Sequence, residues 1–343
     1  MKRILALSFL IFLLLPVYSQ TSDDYNKQGK AKLQKGDYSG AITEFNNAIL
    51  LNSSFYEAYY NRGQAKSKVG NHHGAIMDFS KAIEINPNYS EAYCERGLEK
   101  YLILARDIDG AISDFTKSIE LNPQLEKSYV LRAALRSQIH NDYEGGIADL
   151  NKAIAINPSY FSYKSRGYMK SQLKHYQESI SDYTIAIELN SNDPEIYFFR
   201  ATSEVSIQDY IEAINDFTKV INFNQSYVIE AYMNRGYSRY DIKEYEGAIS
   251  DLTKYIELNP INSEAYLTRG NAHLSLFNYN EATTDYSNSI QIDPKNAAAY
   301  KNRGIVELKL DKKTEACKDF RKAYELGLEN TMEIIKQNCI NFK

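Results

Sequence analysis

An Arg-Gly or Arg-Ala dipeptide recurs down this chain at Arg62-Gly63, Arg96-Gly97, Arg132-Ala133, Arg166-Gly167, Arg200-Ala201, Arg235-Gly236, Arg269-Gly270 and Arg303-Gly304, with Gln28-Gly29 as a degenerate first copy. Successive small residues stand 34, 34, 36, 34, 34, 35, 34 and 34 positions apart. A period of that size, held from end to end, specifies an array of supersecondary units that each bury an apolar face on the next. It also places function on a surface shared by several units, not in one catalytic pocket.

Residues 56–89 serve as the reference unit, with Tyr56 as position 1. Apolar and small residues recur at helical spacing over two stretches, roughly Glu57 to Val69 and His73 to Ile85, with Gly70-Asn71 between them. Each unit therefore reads as a helical hairpin. Five of the seven prolines (Pro87, Pro123, Pro158, Pro260 and Pro294) fall at one point of the repeat, where Pro stops the second helix. The third unit carries two extra residues around Leu104-Ala105-Arg106-Asp107 and the fourth carries one near Asn141, both in the turn between the two helices.

Three regularities set the expected core. Position 4 is Tyr in every unit, from Tyr25 to Tyr300. Gly or Ala at position 8 is expected to face a small residue at position 20, such as Ala75, while a larger residue such as Phe79 or Tyr183 fills position 24 above them. Eight units carry Arg at position 7 and the same eight carry Asp at position 23, sixteen repeat positions later; in the first unit both change together, to Gln28 and Glu44. That covariation predicts an Arg–Asp pair between first and second helices, in the same hairpin or the next, rather than an anion-binding ladder.

The unit resembles the tetratricopeptide repeat, whose signature positions fall here on Tyr59, Arg62, Gly63, Lys66, Ala75, Phe79, Ala82 and Pro87. The resemblance implies an all-α solenoid, a right-handed superhelix of antiparallel helix pairs. Its nine units run over 22–55, 56–89, 90–125, 126–159, 160–193, 194–227, 228–262, 263–296 and 297–327, with a C-terminal capping helix within 328–343. It further implies that the first helices line a groove for a protein or peptide partner. Positions 2, 5, 9, 12 and 13 of those helices commonly touch the ligand.

Carried onto this chain, those positions make Phe198, Met233, Tyr237, Tyr240, Leu267 and Leu274 an apolar stretch. Glu195 and Glu230 run along one side, and Tyr168 and Asn271 stand at position 9. The same side chains could instead pack against neighbouring first helices, and the sequence leaves the two readings open. Cys94 is left over at a position that often faces the groove.

Residues 1–19 read as a secretory signal peptide: Lys2 and Arg3, an apolar run from Ile4 to Leu15, then Pro16-Val17-Tyr18-Ser19 before a cut at Gln20. Its removal leaves no expected membrane span and places the chain in the periplasm or outside the cell. It also shifts the net charge from −4 to −6, which gives nucleic acid no basic footprint. An oxidising compartment would permit a disulfide between Cys317 and Cys339, at one level of antiparallel helices. His72, His73, His140, His175 and His273 are scattered, four of them in or beside turns, without metal-ligand spacing. No phosphate loop or nucleophile elbow occurs, so neither cofactor nor enzyme activity is expected. The expected function is a scaffold or adaptor for envelope or secreted proteins; the alternative is a carbohydrate or cell-wall-binding module.

Overall fold

The computed structural model describes residues 20–103 and 107–339. The expected leader, residues 104–106 of the enlarged third turn and the last four residues of the expected cap lie outside the described residues. Among the described residues there are nineteen α-helices and no strand.

The chain divides into two compact units: Met1–Asp142 with Asn151–Ile156, and Tyr143–Leu150 with Asn157–Lys343. The first contains α1 (Ser22–Gln34), α2 (Tyr38–Leu51), α3 (Tyr56–Lys68), α4 (His72–Ile85), α5 (Ser90–Leu102), α6 (Ile108–Leu121) and α7 (Glu126–His140). Helix α8 (Tyr143–Ile156) gives residues to both. The second continues with α9 (Tyr160–Gln172), α10 (Tyr176–Leu189), α11 (Pro194–Ser206), α12 (Tyr210–Phe223), α13 (Val228–Asp241) and α14 (Tyr245–Leu258). It ends with α15 (Ser263–Ser275), α16 (Tyr279–Ile292), α17 (Ala297–Lys309), α18 (Lys313–Glu325) and α19 (Thr331–Asn338).

Within each unit helices pair in sequence order through short turns and neighbouring pairs pack on each other, so the architecture is an all-α solenoid. First helices also touch the first helices of adjacent repeats: α1 packs on α3, α3 on α5 and α5 on α7, and in the second unit α13 on α15 and α15 on α17.

Local sequence explains where second helices begin. Asp37, Asn71 and Asp107 stand at the N-caps of α2, α4 and α6, and each side chain accepts the N–H of a glycine three residues on: Gly40, Gly74 and Gly110. These caps satisfy donors that the helix itself leaves without partners.

Within a hairpin, the position-8 glycines meet the position-24 side chain more closely than the position-20 alanine. A Cβ would lie 2.7 Å from the Phe79 ring at Gly63, 2.9 Å from Tyr183 at Gly167, 2.8 Å from Tyr286 at Gly270 and 2.8 Å from Phe320 at Gly304. The position-20 residue also stands against position 8, as expected: Ser179 Oγ donates to the Gly167 carbonyl at 2.8 Å, and the Ala111 carbonyl oxygen lies 3.1 Å from a Cβ placed at Gly97. The rings fill the space that the glycines vacate, and Phe79, Phe115, Tyr183, Phe217, Tyr286 and Phe320 are all buried. A well-packed core of this kind resists both added and deleted methylenes.

Gly327, at φ +96°, turns the chain after α18 into the capping helix α19, which lies inside the expected range 328–343. Cys317 and Cys339 are bonded, with Cα atoms 5.6 Å apart, and both are buried with Ala316 and Phe320 beside Ile334 and Ile335. Among the described residues no helix is long and apolar enough to cross a membrane.

Candidate functional site

Seven of the arginines grip the aspartate of their own hairpin. Arg62–Asp78, Arg96–Asp114, Arg166–Asp182, Arg200–Asp216, Arg235–Asp251, Arg269–Asp285 and Arg303–Asp319 each form a two-pronged fork, Nε and Nη2 donating to the two carboxylate oxygens over 2.6 to 3.0 Å. The pairing is therefore within a hairpin, not between neighbours. The first repeat differs from the expected Gln28–Glu44 match: Glu44 is held by Lys32, at position 11, over 2.5 Å.

The third guanidinium nitrogen does something the sequence reading missed. Nη1 of Arg62 donates to Asn46 Oδ1, and the same nitrogen of Arg96, Arg132, Arg200, Arg235, Arg269 and Arg303 donates to the hydroxyls of Ser80, Thr116, Thr184, Thr218, Thr253 and Ser287. Each acceptor belongs to the preceding repeat and directly follows its position-24 residue. One planar five-donor group thus ties a hairpin internally and to its neighbour, which a lysine could not do. The same cations also stand 5.3 to 6.0 Å from the position-4 rings, including Arg62 over Tyr59 and Arg269 over Tyr266. The ladder is consumed in structure and offers no anion site.

Position 11 divides the repeats. Lys66, Lys100, Lys170 and Arg239 add a second cation to Asp78, Asp114, Asp182 and Asp251 at 2.8 to 3.0 Å. Glu204 and Glu307 stand at that position instead. Both are buried, and each has an Oε2 without a hydrogen-bond partner. Burial, reinforced by Asp216 and by Asp319 respectively, pushes each carboxyl up to about 7.

The groove residues expected in the second unit are mostly committed to the fold. Phe198 and Leu267 are buried, at 9% and 6% exposure, so both are core side chains rather than anchors. Asn271 accepts from Tyr286 Oη at 2.9 Å and from Asn302 Nδ2 at 2.8 Å. Glu195 accepts from Tyr227 Oη at 3.1 Å and pairs with Lys164. Met233, Tyr237, Tyr240 and Leu274 are half-buried, and Leu274 packs against the Leu267 cluster. Tyr168, at 39%, and Glu230 are exposed. Cys94 does not face solvent: it is 1% exposed, and burial pushes its thiol up to about 11.

A constant spacing explains this. In four repeats the position-5 side chain meets the residue at the N-cap of the next first helix, 29 positions later. Tyr60 lies 4.9 Å from Tyr89, ring to ring, and Phe198 stacks on Tyr227 at 4.7 Å. Lys164 donates to Asp193 at 2.7 Å, and Asn262 reaches Met233 Sδ at 3.8 Å. The chemistry of each pair matches: ring with ring, cation with carboxylate, thioether with amide. Although burial alone would lower it, the Lys164 pKa is held above its ordinary value by Asp193 and Glu195. Position 5 is thus an internal packing position in these four repeats.

An open concavity beside the first helices lies in the first unit. It measures about 330 Å³. Leu33 of α1, Leu98 of α5 and Phe79 of α4 give it an apolar floor, while Gln64 and Lys68 of α3 form its mouth. Glu95 and Lys127 lie at its far edge, ion-paired at 2.6 Å. Leu33, Gln64, Lys68, Leu98 and Lys127 occupy positions 12, 9, 13, 9 and 2, the ligand positions that the resemblance implied. The positions were legible; the repeats carrying the cavity were not, because aromatic content drew attention to the later ones. His72, expected as a surface turn residue, sits 2.7 Å from the buried carboxyl of Glu99 and links α4 to α5.

Models of the tetratricopeptide repeat match residues 56–89, 229–262 and 263–296, and a TPR repeat model matches residues 29–70. The C-terminal part of a TPR repeat-containing protein from Cytophaga hutchinsonii is 17% identical with a TM-score of 0.57, over 70% of this chain and 97% of that one. YrrB, a TPR protein with an unusual peptide-binding site, is 20% identical with a TM-score of 0.50, over 55% of this chain and 97% of that one. A tetratricopeptide repeat protein from Parabacteroides merdae is 15% identical with a TM-score of 0.49, over 84% of this chain and 99% of that one. No curated protein sequence matches this chain.

Proposed function

Because the chain belongs to the tetratricopeptide repeat family, we propose that it is a non-enzymatic scaffold that holds a segment of a partner protein against the first helices of its first unit. The observation that carries this reading is the cavity of about 330 Å³ bounded by Leu33, Gln64 and Leu98, at the low end of the volumes that bind ligand groups. An apolar floor with a polar mouth suits an anchoring side chain of an extended or helical segment. YrrB shows a peptide-binding site on a related fold.

The scaffold acts, in this reading, in the periplasm or outside the cell. The signal-like residues 1–19 support export. The Cys317–Cys339 bond suits an oxidising compartment. Export is tested by sequencing the N-terminus of the protein recovered from the cell envelope and medium: Gln20 is the expected first residue, and a retained Met1 rejects cleavage.

The groove is tested with a photo-crosslinking amino acid at position 64, and at position 84 on the outer side of α4 as the control. Crosslinked partner from position 64 and not from 84, abolished when Leu98→Arg is added to a chain that still folds, is the expected result. Equal yields from both positions reject the groove.

A further inference from the structure

We infer that the segment held in the first unit presents an apolar side chain flanked by carboxylates. This rests on the groove reading above and specifies its ligand. The floor contributed by Leu33, Leu98 and Phe79 selects an aliphatic or thioether side chain by burial, worth about 1.5–3 kcal/mol for a fully buried leucine-sized group.

The charges at the mouth select what stands beside it. Lys68 is exposed at the mouth and makes no ion pair among the described residues. Lys30, one helical turn before Leu33 on α1 and outside the cavity's lining, is exposed and without an ion pair among the described residues as well. Three other lysines of the first four repeats are held in ion pairs, Lys32 with Glu44, Lys66 with Asp78 and Lys127 with Glu95, while Lys27 and Lys35 lie outside the cavity's lining. Glu95, the one acidic residue among the cavity's lining, is neutralised by Lys127, so the mouth carries net positive charge.

A carboxylate beside the anchoring side chain gains from this field, and a lysine or arginine there is repelled. Charge complementarity of this kind steers the encounter and rejects wrong partners. Each exposed pair is worth about two- to five-fold in affinity at low salt.

A phage-displayed library of random dodecapeptides, selected on the immobilised full-length protein, tests this. Enriched sequences should place Leu, Ile, Met or Phe next to Asp or Glu, lose binding on the Gln64→Arg protein, and weaken about two- to five-fold per contact on Lys68→Ser. Selection on Lys68→Glu should recover Lys- or Arg-flanked sequences. Neutral or basic flanks on the wild-type chain, or no enrichment at all, overturn the acidic preference. Enriched sequences that bind Gln64→Arg undiminished overturn the groove reading itself, which separates the two failures.

Discussion

Arg200 holds Asp216 across the α11–α12 hairpin in a fork, Nε to Oδ2 at 2.6 Å and Nη2 to Oδ1 at 3.0 Å, with the carboxylate almost wholly buried. Removing either partner strands the other charge away from water, so Arg200→Ala and Asp216→Ala should each destabilise by about 3 kcal/mol. The double variant should lose far less than the sum of the two. Chemical denaturation of the three variants measures this coupling, and additive losses would refute the pair. Arg200→Lys should fail to restore stability, because a lysine cannot fork and also reach Thr184.

Beside that fork lies a second carboxyl whose proton makes stability depend on pH. Glu204 sits 3.7 Å from Arg200 Nε and faces Asp216, with Asp209 and Glu212 nearby. Its folded-state pKa of about 7 exceeds the ordinary 4.5, so the folded chain retains a proton that the unfolded chain gives up between those values. The contribution is neutral below about pH 4.5, grows more destabilising as pH rises toward 7, and levels off above it. Glu204→Gln should therefore match wild type near pH 4.5 and exceed it at pH 8 by on the order of 1 kcal/mol. A melting-temperature difference that stays flat from pH 4.5 to 8 contradicts this assignment. Glu307→Gln in the last repeat should behave in the same way, since Asp319 and burial act on it alike.

Cys317 and Cys339 fasten the capping helix to the last repeat, closing a sequence separation of 22 residues. Reduction should cost about 2–4 kcal/mol locally and speed amide exchange over Thr331–Asn338 ahead of the other helices. In denaturant without reductant, a thiol assay should find one free thiol, Cys94, and with reductant three. A count of three before reduction rejects the bond.

The period and the Arg–Asp match were legible because eight copies in one chain act as an internal alignment. A change at position 7 that travels with position 23 reports contact without any structure. The hydroxyl acceptors Ser80, Thr184 and Thr253 were present in the same alignment, yet small polar residues recur for many reasons and their periodicity pointed to no partner. The 29-residue match of position 5 with the next helix cap was also written in the sequence. It was obscured because the pair changes chemistry from Tyr60–Tyr89 to Lys164–Asp193, so only complementarity is preserved, not residue type. Single events such as His72 with Glu99 leave no periodic trace at all. The same limit hid the cavity: position in the repeat says which face a residue occupies, but not whether a neighbouring ring has already filled the space.

Tyr227 offers the sharpest test of that hidden packing rule. It lies in left-handed backbone at φ 67°, costly for a bulky side chain, yet its ring stacks on Phe198 and its hydroxyl donates to Glu195. Tyr227→Ala keeps the backbone strain and loses both contacts, so it should destabilise by about 2 kcal/mol. Tyr227→Gly loses the same contacts but adopts the positive φ freely, and should be more stable than the alanine variant by about 0.5–1 kcal/mol. If the ring were a passive surface group, the glycine variant would instead match or exceed wild type. Urea titrations of the three proteins distinguish these outcomes, and the order wild type above glycine above alanine is the one the Phe198–Tyr227 stack requires.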